Sequence, residues 1–228
     1  MDENAAIIVM CKAPAAGMVK TRLIPFLSPE QAATLAAWFA VDTVLKAMTL
    51  TCKVVIAFAP SDGKYLLRKI LPKHLNWTEQ RGHNLGERIY NALLFAAENE
   101  CYAHFVVIGT DSPTLPLNYI KQAFSALTEN RADVVLGKAE DGGYYLIGMQ
   151  HPNLSIFQNV EWSSPRTFEQ TANNIKNLNL RLHVLPIWYD VDTPEDLRRL
   201  REEILNDQNA GQIAPNTAEW LRQNENLF

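Results

Sequence analysis

Short unbroken apolar runs alternate along the chain with longer stretches in which apolar residues recur every three or four positions. The unbroken runs are Ala6–Cys11, Val54–Ala59 and Phe105–Ile108, which by length and β-branched character predict buried strands. Val134–Lys138, Tyr144–Met149 and Leu182–Leu185 predict three further strands. Between them, helical spacing is carried by Leu35, Trp38, Phe39, Val41, Val44 and Leu45, by Leu66, Leu67 and Ile70, by Ile89, Leu93, Leu94, Ala96 and Ala97, and by Ile120, Phe124 and Leu127. Each set gives a helix an apolar face to lay on a sheet. Strands alternating with helices predict a mainly parallel sheet. Trp77-Thr78-Glu79-Gln80 adds a short strand, and Ala139-Glu140-Asp141-Gly142-Gly143 is brief and glycine-rich enough to turn its two flanking strands into an antiparallel hairpin.

Local signals place the helix starts. Ser28-Pro29-Glu30-Gln31 reads as an N-cap serine, a proline in the first turn and a capping-box partner. Asn84 and Glu87 fit the same pattern, Ser164-Pro165 opens a further helix, and Thr193-Pro194-Glu195-Asp196 combines a cap with acids favoured by the helix dipole. The segment 206–228 is richer in Asn and Gln, with Trp220 and Leu221 predicting one short docked helix. The expectation is one domain over 1–228 carrying 206–228 as a tail packed on it.

A length of 228 residues with 47% hydrophobic positions suffices for such a core. A net charge of −4 supplies no basic field, which argues against a nucleic-acid binder and requires any anion to be held locally. Cys11, Cys52 and Cys101 are widely spaced and lack a CxxC pair, so they read as structural thiols and not as a disulfide or zinc framework. No basic leader, long apolar segment or cleavage site precedes the first strand, so a cytoplasmic location and no membrane span are expected.

Candidate chemistry gathers where strands end. The first strand opens onto a loop holding Lys12, Gly17, Lys20 and Arg22: three cations that can pair with a diphosphate, and a glycine that lets backbone approach. The alternative is a solvated loop. Neither a Walker A loop nor a GxGxxG is present. Asp111 follows the Phe105–Ile108 run, and ligands of open α/β sheets bind outside the carboxyl ends of strands. Its other reading is an Asx-turn ahead of Pro113. The helix start at Asn84–Arg88 is a ready anion site, with Arg88 either a ligand contact or a solvated charge, and His83 a loop residue. Asp141 lies in the Asp-Gly-Gly turn, which by turn chemistry alone needs no working carboxylate, and Asp190 and Asp192 precede the last strong helix start facing the same crevice.

The Lys12–Arg22 loop, Asn84–Arg88, Gly109-Thr110-Asp111-Ser112-Pro113, Asp141-Gly142-Gly143-Tyr144-Tyr145 and Asp190-Val191-Asp192-Thr193-Pro194, in that order, resemble a bacterial family of the glycosyltransferase A (GT-A) superfamily of nucleotide-diphospho-sugar transferases. The resemblance runs from about Ile7 to Leu200. It implies a Rossmann-like α/β/α sandwich with a mainly parallel sheet and an antiparallel hairpin. It also implies Asp111 as ligand of Mg²⁺ or Mn²⁺ on the nucleotide diphosphate, Asp192 as the candidate second ligand, and Lys12, Lys20 and Arg22 with Gly17 and Arg88 on the diphosphate. Asp141 would contact sugar or acceptor, serving as base if the reaction inverts, with Gly142 and Gly143 beside the substrate. Two departures stand out: Asp111 is a single acid between Thr110 and Ser112, and Asn84 occupies a position more often Asp in the family. The implied activity is a metal-dependent glycosyltransferase acting on a nucleotide-diphospho-sugar and an unspecified acceptor. The alternatives are a nucleotidyltransferase joining an NTP to a phosphorylated small molecule, and a catalytically silent nucleotide-binding module.

Overall fold

The computed structural model of the chain describes residues 4–99 and 102–228. Among the described residues seven strands, β1 (Ala5–Lys12), β2 (Lys53–Ala59), β3 (Asn76–Glu79), β4 (His104–Ile108), β5 (Val134–Ala139), β6 (Tyr144–Met149) and β7 (Leu182–Trp188), form one sheet in the order β3-β2-β1-β4-β6-β5-β7. Of these, β6 pairs antiparallel with β4 and β5, while the other pairings are parallel. The Asp-Gly-Gly turn therefore makes the expected hairpin. The Phe105–Ile108 run lies in the middle strand, where both faces are covered.

Among the described residues eight α-helices surround the sheet: α1 (Pro29–Met48), α2 (Lys64–Ile70), α3 (Leu85–Asn99), α4 (Leu117–Thr128), α5 (Thr167–Asn177), α6 (Pro194–Asn206), α7 (Gln208–Ile213) and α8 (Pro215–Gln223). Alternation along β1 divides the core. Ala5, Ile7, Val9 and Cys11 pack with α1 and α4 through Val41, Val44, Ile120 and Phe124, while Ala6 and Ile8 pack with α3 through Ile89 and Leu93. Each large side chain fully buried in this way contributes about 1.5–3 kcal/mol, which is why the two layers hold the sheet rigid beneath its loops.

Several local expectations hold in detail. Ser28 accepts the Gln31 N–H while Gln31 accepts the Ser28 N–H, closing the capping box of α1, and Thr193 with Asp196 does the same for α6. Cys11 and Cys52 are buried free thiols; Cys101 lies outside the described residues. Among the described residues no helix is long and apolar enough to cross a membrane.

Three expectations change. Leu45 is 43% exposed, because one further residue turns the helix past the stripe that Val44 occupies, and Lys46 is buried instead. Helix α5 starts at Thr167, not at Ser164-Pro165: the Ser164 carbonyl accepts the Thr167 N–H and its Oγ accepts the Arg166 N–H, so the pair belongs to a turn. The tail holds two helices. Asp207 caps α7, and α8 is capped from α1, where buried Asp42 accepts the Asn216 and Thr217 N–H groups and both side-chain donors. Trp220 and Leu221 pack with Leu35, Phe39, Leu197 and Leu200.

Candidate active site

Strands β1, β4, β5 and β7 run parallel and end on one edge of the sheet. Beyond that edge, connections leave β1 and β4 in opposite directions, and such a switch point opens a crevice. The crevice has two lobes, a wide one of about 380 Å³ and a narrow one of about 250 Å³. Met10, Lys12, Asp111 and Asp192 line both lobes and form the waist between them. Lys20 and Arg22 face the narrow lobe, Asp141, Gly143 and Asp190 the wide one.

The centre of the arrangement is Lys20. Its Nζ pairs with the Asp111 carboxylate, donates to Asp192 Oδ1 at 3.0 Å and to the Val191 carbonyl at 2.8 Å, and its side chain is only 6% exposed. Burial by itself lowers the pKa of this ammonium, but the Asp111 and Asp192 carboxylates outweigh it and the net shift is upward. Lys20 is therefore a fixed positive charge. Its backbone is left-handed at φ 48°, a conformation that costs a non-glycine residue about 1–2 kcal/mol and is held here by these side-chain bonds. The Val191 N–H bonds the Asp111 carbonyl at 2.9 Å, joining the loops after β4 and β7. Arg22 Nη1 stands 3.8 Å from Asp192 Oδ2 and is 71% exposed, so it remains open to a ligand, as does exposed Lys12.

Asp111 thus pairs with a lysine and does not spend its carboxylate on an Asx-turn. Asp141 does: its Oδ1 accepts the Gly143 N–H at 2.8 Å. Gly142 has φ +89° and a Cβ there would meet the Pro165 carbonyl at 2.1 Å, so this glycine serves close packing of the hairpin on the Ser164-Pro165 turn and does not line the cleft. Gly17 has φ +74°, shapes the loop beside open space and lines neither lobe. Arg88 donates Nε to the Gly82 carbonyl at 3.2 Å and is likewise outside both lobes. At the start of α3, Asn84 caps the Glu87 N–H, while Glu87 reaches the N–H of His83 and not that of Asn84, a capping box displaced by one residue.

Other contributors carry weak sequence signals. Asp190 is half-buried in the wide lobe; burial pushes its carboxyl up to about 6, the Ser112 hydroxyl and the Lys20 charge work against that, and the Asp111 and Asp141 charges add to it. Trp162, Ser163, Ser164 and Thr167 line the same lobe from an aperiodic stretch. Lys46 lies behind the Asp111 loop, with Nζ 2.9 Å from both the Pro113 and the Leu115 carbonyls. A visible clue was an Asp42–Lys46 pair at i,i+4 on the apolar stripe of α1.

The donor chemistry fits a hard divalent cation, which prefers carboxylate and water oxygens. Asp111 and Asp192 already converge on one cation, the Lys20 ammonium. Among the described residues no group of three His, Cys, Asp or Glu side chains encloses a metal, so a bound ion would need substrate oxygens or water to complete its shell.

Residues 41–164 match the family described as "Uncharacterized protein conserved in bacteria (DUF2064)". Among solved structures, the chain is similar to a protein of Desulfovibrio desulfuricans G20 provisionally described as a nucleotide-diphospho-sugar transferase, at 29% identity and a TM-score of 0.89, covering 99% of this chain and 97% of that one. In fold it is also similar to CMP:2-keto-3-deoxy-manno-octonic acid synthetase complexed with CTP, at 10% identity, TM-score 0.56, and 89% and 98% coverage. The inositol-1-phosphate CTP transferase of T. maritima is a third, at 13% identity, TM-score 0.54, and 95% and 96% coverage. Comparison with curated proteins gives no match.

Proposed function

The chain belongs to the DUF2064 family of bacterial proteins, and from its cleft we propose a metal-dependent glycosyltransferase that takes a nucleotide-diphospho-sugar. One observation carries the reading: the convergence of Lys20, Asp111 and Asp192 at the waist between two lobes, with Lys12 and Arg22 still open beside them. The description of the Desulfovibrio protein supports the same donor class.

In this reading the narrow lobe takes the diphosphate, with Lys12 and Arg22 on its oxygens and Gly17 shaping the loop that carries them. Lys20 holds Asp111 and Asp192 in place and offsets their charge. A bound Mg²⁺ or Mn²⁺ on Asp111 and Asp192 would supply Lewis-acid stabilisation of the negative charge that gathers on the leaving diphosphate. The sugar reaches through the waist toward Gly143 and Asp141. The acceptor oxygen bonds to the anomeric carbon as the bond from that carbon to the diphosphate oxygen breaks. The nucleoside diphosphate leaves with the electron pair, and the acceptor proton passes to Asp141, whose carboxylate the Gly143 N–H orients. Arg88 acts at a distance by tying down the Gly82 turn.

A second reading, a nucleotidyltransferase, is favoured by Lys12 and Arg22 on a single loop, both open to pair with a triphosphate. Incubation with Mn²⁺ and panels of nucleotide-diphospho-sugars and NTPs separates the two. Released nucleoside diphosphate supports the glycosyltransferase; pyrophosphate without it transfers the assignment to the nucleotidyltransferase. Nucleotide binding with neither product identifies a non-catalytic module.

A further inference from the structure

We infer that the wide lobe receives an acceptor bearing hydroxyls and no phosphate, either uncharged or carrying an amine, and that Asp141 and Asp190 make the selection; this rests on the glycosyltransferase reading. The charges lining the lobe are Lys12, Asp111, Asp141, Asp190 and Asp192. Lys20 answers Asp111 and Asp192, and Arg22 stands beside Asp192. Among the described residues no cation comes within ion-pair distance of Asp141 or Asp190. Lys12 is the one lysine or arginine lining this lobe, and it sits at the waist, where the donor diphosphate would engage it.

The lining also has an aromatic side chain. Trp162 is braced edge-on by Tyr144 at 6.4 Å between ring centroids and by the tilted ring of Phe157 at the same separation. Gly86 lets α3 close behind the indole, since a Cβ there would meet the Trp162 ring at 2.3 Å. An indole and carboxylates lining one lobe suit the apolar face and hydroxyl groups of a polyol, or an ammonium drawn by both charge and ring. A phosphomonoester entering the same space would meet the Asp141 and Asp190 carboxylates while Lys12 is engaged by the diphosphate and Lys20 by Asp111 and Asp192, and like charges juxtaposed in a recess reject a ligand. A phosphorylated acceptor is what the nucleotidyltransferase reading requires, so the lobe also bears on the choice between the two activities.

The test is binding, measured by ligand-observed NMR on the full chain with Mg²⁺ and excess inorganic pyrophosphate present to occupy Lys12 and Arg22, and with methyl glucoside, glucosamine and glucose 6-phosphate as probes. Methyl glucoside and glucosamine are expected to bind at least about tenfold more tightly than glucose 6-phosphate, and near-isosteric Asp141→Asn/Asp190→Asn should narrow that gap to about threefold or less. If the double variant does not fold, Asp141→Asn alone, at an exposed position, must narrow it. Glucose 6-phosphate binding as well as methyl glucoside, no binding of any probe, or a gap unmoved by the substitutions overturns the inference. Donor cleavage plays no part in this readout. A protein with the stated preference that releases no nucleoside diphosphate from any donor defeats the glycosyltransferase reading alone; one that cleaves a donor yet prefers the phosphomonoester defeats this inference alone.

Discussion

Lys20, in the loop after β1, ends against Asp111, in the loop after β4, across the point where the sheet's strand order reverses. The lysine side chain is 6% exposed and the aspartate 51% exposed, so the contact has a buried cationic end and an open anionic one. Such a pair pins the loop from inside while leaving carboxylate oxygen available to a ligand.

Removing the cation leaves Asp111 and Asp192 facing each other without compensation. Lys20→Met is expected to fold with a stability loss of about 1–2 kcal/mol, less than for a fully buried pair because both carboxylates reach solvent. Urea unfolding measures it. Added Mg²⁺ should recover part of the loss by offsetting the same two charges, whereas an unchanged midpoint would show that the lysine carries no share of the loop's stability.

Asp42 is the buried cap of α8 and accepts from both backbone and side-chain donors of Asn216 and Thr217. Asp42→Ala is expected to cost about 2–3 kcal/mol, since hydrogen bonds to a buried carboxylate are among the stronger ones. Hydrogen exchange should show protection lost over 208–223 before it is lost in the sheet. Uniform loss across the chain would show that the tail is not a separable unit.

Gly142 and Gly143 should separate in their effects. At Gly142, φ +89° and a Pro165 carbonyl 2.1 Å from the added Cβ predict about 2–3 kcal/mol of destabilisation for Gly142→Ala. At Gly143 the nearest atom is Asp141 Oδ1 at 3.1 Å, so Gly143→Ala should cost under about 1 kcal/mol while disturbing the Asp141 carboxylate. Thermal melts paired with donor turnover test the contrast: the first variant loses stability, the second loses rate.

Lys46 gives the chain a pH-dependent stability. Burial pushes its ammonium down to about 7 from an ordinary value near 10.5, with Asp42 and Glu203 pulling the other way. Below about pH 7 the group is protonated in both folded and unfolded chains and contributes no slope. Between there and its ordinary value the unfolded chain binds the extra proton, so raising pH favours the folded state. Wild type should therefore gain stability relative to Lys46→Met as pH rises through that window, measured by urea unfolding at several pH values. Parallel pH profiles for the two proteins would contradict it.

The strands and most helix starts were legible because they rest on local causes: β-branched runs, Ser28 and Thr193 caps, and an Asp-Gly-Gly hairpin. The acids were legible as a set because each follows a strand end, and ends of parallel strands share an edge. Lys20 was legible as a cation but not as the partner of Asp111 and Asp192, because that contact depends on how two distant loops meet. Gly142 misled for a related reason. A glycine needed for packing against Pro165 looks, in sequence, like one needed for a ligand. Trp162 and Ser163 lie in an aperiodic stretch, and α7 hides because its six residues bury only Ala210 and so carry no apolar stripe.

In the proposed reaction Asp111 joins a divalent cation to a nucleotide diphosphate at the waist of the cleft. Isothermal titration of wild type and Asp111→Ala with nucleoside diphosphates, with and without Mn²⁺, reads this role. The variant should stay folded while its Mn²⁺-dependent affinity falls by about 10–100-fold, the range seen when support for a metal is removed. Equal affinity in the two proteins, or wild-type affinity indifferent to Mn²⁺, would contradict it.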